Sequence, residues 1–124
     1  MTESNNKHAA LEALCAHAKH MVLSGDYKKC YQMVCTVMSR YPNSPHPHNL
    51  MGILYEKEGC HTEAMKHFRA ALALDPTYMP AKQNLNLYGT CDFPHRCAFL
   101  EADCTQEHDT SSSKSSGFTF RRLL

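Results

Sequence analysis

No stretch of this chain approaches the roughly 20 consecutive apolar residues that a bilayer-spanning helix needs, so a membrane anchor of that kind is excluded. The opening run MTESNNKHAA is polar and lacks the apolar centre of a secretory signal; cytoplasmic residence, with no membrane partner, is the expectation. An excess of one charge is missing too, since 13 Lys and Arg stand against 12 Asp and Glu. The charges of the first 90 residues are spread out rather than clustered. Binding driven by phosphate neutralisation needs a concentrated basic surface, and no nucleic-acid partner is expected.

Catalytic signatures are absent as well. There is no GxSxG elbow, no GxxxxGK phosphate loop and no GxGxxG after a strand. His17 and His20 lie three apart on one helix face, but no HExxH pattern surrounds them. The chain reads as a non-enzyme without a cofactor. Its seven cysteines (15, 30, 35, 60, 91, 97 and 104) are odd in number and form no CxxC pair, which fits reduced thiols better than a disulfide framework. Cys91, His95, Cys97, Cys104 and His108 carry zinc-binding chemistry, yet their spacing matches no common finger. No metal site is expected, and these five are the weak candidates for one.

What the chain does have is helical periodicity with regular punctuation. Leu11, Leu14, Ala18, Met21 and Val22 mark a first amphipathic helix over about 9–23. Ser24-Gly25-Asp26 breaks it, with Gly25 suited to a left-handed turn and Asp26 to a helix N-cap. Cys30, Val34, Val37 and Met38 lie on one face of a second helix, 27–40. Pro42-Asn43-Ser44-Pro45 ends it and opens a turn, and Pro47 fits only the first turn of a third helix, which runs to about 58 with Leu50, Met51, Leu54 and Tyr55 as its stripe. After Gly59 comes a fourth helix, 61–74, striped by Ala64, Phe68, Ala71 and Leu72. A fifth, 79–88, turns Ala81, Leu85 and Tyr88 inward and leaves Lys82, Gln83, Asn84 and Asn86 on its polar side. Beyond residue 90 a short helix around 97–107 is conceivable; the serine-rich run 110–117 cannot bury enough apolar surface to order itself.

The punctuation repeats. Gly25 and Gly59 are 34 residues apart, and so are Pro42 and Pro76. A 34-residue helix–turn–helix period resembles the tetratricopeptide repeat. With Pro45 as first position, Gly52 falls at the eighth, Tyr55 at the eleventh, Ala64 at the twentieth, and Phe68, Ala71 and Pro76 at the 24th, 27th and 32nd. His48 departs from the family, which often has tryptophan there. The upstream copy, 11–44, is degenerate but keeps Ala18, Gly25, Tyr27 and Pro42.

The resemblance implies an all-α fold, a short α-solenoid of antiparallel helix hairpins: two repeats (11–44 and 45–78) and a capping helix 79–88. These form a domain 9–90 between a flexible 1–8 and a low-complexity, disordered tail 91–124. It also implies a protein-interaction adaptor that holds a peptide or partner protein on its concave face. Family positions place Glu12, Cys15, Lys19, Val22, His46, Asn49, Ile53, Glu56, Gln83 and Leu87 there. Asn49 and Gln83 would bond a partner's backbone, Lys19 an acidic group, and Ile53 and Leu87 an apolar anchor. Two alternatives stand beside this reading: a metal- or redox-responsive regulator using the Cys/His tail, and a small secretion or assembly chaperone. Stacks of this kind need about three repeats to bury their faces, so an apolar surface is left for a homodimer, a partner helix or the FTFRRLL tail to cover.

Overall fold

The structure, a computed structural model, describes residues 2–89 and 97–104. Five helices follow one another: α1 Thr2–Leu23, α2 Tyr27–Arg40, α3 Pro45–Lys57, α4 His61–Leu74 and α5 Met79–Gly89. There is no strand among the described residues, and the fold is the expected all-α solenoid of packed hairpins. A single 3-10 turn, Glu101–Asp103, follows the solenoid. No helix among the described residues is long and apolar enough to cross a membrane.

The two inter-helix turns that carry glycine are built alike. Gly25 and Gly59 take φ of +85° and +83°, a region open to glycine at little cost. Asp26 N–H then reaches back to the Met21 carbonyl, and Cys60 N–H to the Tyr55 carbonyl, both at 2.8 Å. Each satisfies a carbonyl that the helix end would otherwise orphan. Asp26 does stand at the N-cap of α2, but its side chain makes no capping hydrogen bond.

Helix α1 begins at Thr2, not near residue 9. Apolar periodicity could not show this, because residues 5–10 are exposed and carry no stripe. The core gathers Leu11, Leu14, Ala18 and Val22 of α1, Cys30 and Val34 of α2, Leu50 and Leu54 of α3, and Ala64 and Phe68 of α4. Helix α3 is central, touching every other helix. It approaches α4 so closely at Gly52 that an added Cβ would lie within 2.7 Å of Phe68 Cδ1 and Cζ.

His48, the departure from the family pattern, is accommodated by a second histidine. Its ring stacks on His67 of α4 at 5.3 Å between centroids, with the two Nδ1 atoms 3.1 Å apart, and Tyr55 also stacks on His67, at 5.4 Å. A shared Nδ1–Nδ1 hydrogen bond needs one donor and one acceptor. Burial accordingly lowers the pKa of both rings and keeps them neutral.

Candidate functional site

In α3, Pro45, Pro47, Asn49, Leu50, Met51, Gly52, Ile53 and Leu54 are all buried, though an amphipathic hairpin helix would leave one side to water. That side is covered by the chain itself. Residues 97–104 pack on α3 and α5, with Ala98 fully buried and Phe99 only 3% exposed. They do not form the helix conceivable from sequence: 97–100 lack helical structure, and only the 3-10 turn follows. The reason is that Ala98 gives its backbone groups to side chains of the solenoid. Its carbonyl accepts from Asn49 Nδ2 at 3.0 Å and from Asn84 Nδ2 at 2.8 Å, and its N–H donates to Asn84 Oδ1 at 2.7 Å. Asn84 Nδ2 also donates to Asn49 Oδ1 at 2.8 Å, closing the network.

A second anchor lies at Asp103. Its Oδ1 accepts from Lys19 Nζ at 2.7 Å, while Oδ2 accepts from the N–H groups of Phe99 and Leu100, both at 3.0 Å. Burial works to raise the Asp103 pKa, but the Lys19 ammonium and these two amides prevail and hold it below the usual carboxylate range. Between the segment, the end of α1 and the end of α3 a cleft of about 440 Å³ remains, lined in part by Lys19, Leu23, Lys57, Phe99 and Ala102.

The predicted partner-binding residues divide. Lys19 and Asn49 grip the segment directly, and Ile53 is fully buried in the same core cluster as Phe99. Val22 is buried beside the cleft. Cys15 is fully buried against the Tyr78 hydroxyl, 3.9 Å away, so its thiol is withdrawn from any partner. Glu12 Oε2 stands 3.9 Å from His46 Nε2, and Glu56 pairs with His61 at 2.6 Å. Gln83 and Leu87 are half-buried. A backbone contact of the kind expected of Gln83 is made by its neighbour Asn84, a residue that the sequence reading passed over. That was legible: Ala81, Asn84, Leu85 and Tyr88 follow the i, i+3, i+4, i+7 rule, which puts Asn84 on the buried stripe rather than the polar side. Tyr78, also missed, packs its ring on His46 at 4.7 Å. Of the weak metal candidates, Cys97 and Cys104 belong to the segment; Cys91, His95 and His108 lie outside the described residues.

The family model of the tetratricopeptide repeat matches residues 45–78, the span from Pro45 through Tyr78. That match and the five packed helices fit a small protein of the tetratricopeptide-repeat type. No curated protein and no solved structure matches the chain. Tetratricopeptide repeats support protein–protein interaction in general, and here Asn49 and Asn84 hold the backbone of the chain's own Ala98.

Two predictions arise from the titratable groups of that face. His46 is half-buried, its Nδ1 has no hydrogen-bond partner among the described residues, and its pKa is lowered to about 4, by burial first and by His8 and Lys7 next. The unfolded chain, with a histidine near 6.5, then binds the proton more readily than the fold. Stability is therefore fully present above pH 6.5 and lost as pH falls toward 4, by about 1–2 kcal/mol after discounting for water around the ring. Urea midpoints measured across pH 4–7 should show the slope, and His46→Asn should flatten it. An unchanged slope in the variant would assign it to other groups.

The thiols are graded by burial. Cys15 is pushed up to about 12 and Cys30 to about 11, chiefly by burial, whereas Cys60 is exposed. Thiolate is the reacting form, so a maleimide should label Cys60 within minutes and Cys15 and Cys30 only on unfolding, by peptide mass spectrometry. Labelling of Cys15 at the rate of Cys60 would contradict the packing.

Proposed function

We propose that this tetratricopeptide protein is a non-enzymatic adaptor that holds an extended peptide of a partner protein along its concave face. The observation that carries the reading is the paired grip of Asn49 and Asn84 on both backbone groups of one residue. Side-chain amides that bond a backbone carbonyl and N–H together recognise extended chain irrespective of its side chains, and neighbouring pockets then supply selectivity. Lys19 adds a preference for an acidic group, and Ile53 and the cleft add apolar room. Cytoplasmic residence is part of this proposal.

Affinity capture with the full chain tests it. Proteins retained by the wild type should be lost on both Asn49→Ala and Lys19→Glu, while circular dichroism stays helical. A retained set indifferent to both substitutions would move the interaction to another face.

A further inference from the structure

Residues 97–104 occupy the groove as a ligand would, and they are part of the same chain. We infer that this segment is an intramolecular stand-in for the partner peptide, and that a partner of matching chemistry must displace it. The inference rests on the concave-face reading above and specifies its ligand. The segment defines the pattern: a small residue held by its backbone (Ala98), an aromatic buried next to it (Phe99), an aliphatic (Leu100), and an acid three residues on (Asp103). The occupant is thus an extended peptide of another protein with the pattern small–aromatic–aliphatic–x–x–acidic.

Three observations mark the segment as replaceable rather than as another element of the solenoid. It is held by the two asparagines, one ion pair, a Cys97–Tyr88 hydrogen bond and the packing of Ala98, Phe99 and Leu100, without any helical ridge packed into a groove. Its turn is closed on itself, since Asp103 caps the amides of Phe99 and Leu100, so it could leave with its own local structure intact. And it fills the site incompletely. The cleft of about 440 Å³ beside it is edged by the small Ala102 and by Lys57, which makes no ion pair among the described residues. A partner carrying a larger apolar residue in the place of Ala102 would gain contacts that the chain's own segment forgoes.

The competition is one of effective concentration. Seven sequence positions, 90–96, join the segment to α5, and a short tether keeps an intramolecular ligand at an effective concentration on the order of millimolar. A partner therefore binds with an apparent Kd equal to its intrinsic Kd divided by the fraction of chains whose groove is vacant.

The test uses the full chain and a fluorescent peptide of residues 97–104 with both cysteines replaced by serine, read by anisotropy. Asp103→Ala removes the Lys19 latch in the chain without touching the groove, and the peptide should bind this variant at least about tenfold tighter than the wild type. Ala102→Leu in the chain should weaken peptide binding, whereas Ala102→Leu in the peptide should strengthen it. Saturating peptide should also speed amide exchange at Ala98 of the unmutated chain while α3 and α4 stay protected; this needs no variant. Equal affinity for wild type and Asp103→Ala would leave the groove reading standing and overturn the competition. Absence of binding together with an Ala98 amide that stays protected would make 97–104 a fixed part of the fold, and would overturn it too. Binding to Asp103→Ala that survives a further Asn49→Ala would place the peptide elsewhere and defeat the groove reading as well. A dimer by light scattering that peptide dissociates would replace the intramolecular stand-in by exchange between two copies.

Discussion

Replacing Gly52 with leucine is expected to cost about 3 kcal/mol of folding stability, at the upper end of overpacking effects. Helix propensity alone gives the opposite sign, since glycine inside a helix is about 1 kcal/mol worse than alanine. The structure decides between the two. A Cβ at Gly52 would collide with Cε1, Cδ1 and Cζ of Phe68, a ring that is itself fully buried and stacked on Tyr88 at 5.9 Å. The ring has nowhere to go, so α3 and α4 must separate and the core between them opens. Even Gly52→Ala should destabilise, though less. Phe68→Ala removes the obstacle together with the packing and should cost about 3–5 kcal/mol. The pair should couple: Gly52→Ala in a Phe68→Leu background should cost less than in the wild type, because the smaller side chain leaves room for the methyl. Urea unfolding followed by circular dichroism measures each of these chains. A Gly52→Leu midpoint equal to that of the wild type would mean that the two helices do not meet there.

Gly52 shows how far the sequence could be read. Its family position already implied a close helix crossing, and Ala64, Phe68 and Ala71 lie on the buried side of α4 as their spacing required. The turns at Gly25 and Gly59 were equally open to reading, because a left-handed residue between helices has few chemical solutions. Those features are local or periodic. The start of α1 was not legible, since residues 5–10 are exposed and leave no apolar stripe. The position of 97–104 was hidden for a different reason. Its docking depends on contacts 14, 49 and 84 residues apart in sequence, and CAFLEADC has neither a helical nor a strand period to announce it.

The candidate site divides along the same line. Asn49 and Lys19 were readable from their family positions. Asn84 was assigned to the polar side of α5 because asparagine is usually exposed, although its i+3 offset from Ala81 puts it on the buried stripe. A polar residue on such a stripe needs partners, and here the partners are the backbone of a segment far away in sequence. The same segment buries the Asn49 side of α3.

Asn84→Ala is therefore expected to cost about 2–4 kcal/mol. The side chain has no exposure and forms three hydrogen bonds: two donated, to Asn49 Oδ1 and to the Ala98 carbonyl, and one accepted from the Ala98 N–H. The Ala98 carbonyl would keep Asn49 Nδ2, but the Ala98 N–H and Asn49 Oδ1 would both be orphaned, and each buried orphan costs about 1–3 kcal/mol. The loss has a ceiling, because segment 97–104 can leave the groove and rehydrate, at which point only its docking free energy is lost. Asn84→Asp separates hydrogen bonding from shape. The carboxylate still accepts from the Ala98 N–H, but it turns two donated bonds into oxygen facing oxygen, so it should destabilise at least as much as alanine despite its similar size. The two variants differ from Asp103→Ala in one respect: they damage the groove itself, so they should weaken peptide binding where Asp103→Ala strengthens it. Thermal unfolding together with hydrogen exchange at the Ala98 amide provides the measurement. An Asn84→Ala chain that retained both the wild-type Tm and the protection of that amide would show that the asparagine pair holds nothing in place, and the grip on the peptide backbone would lose its physical basis.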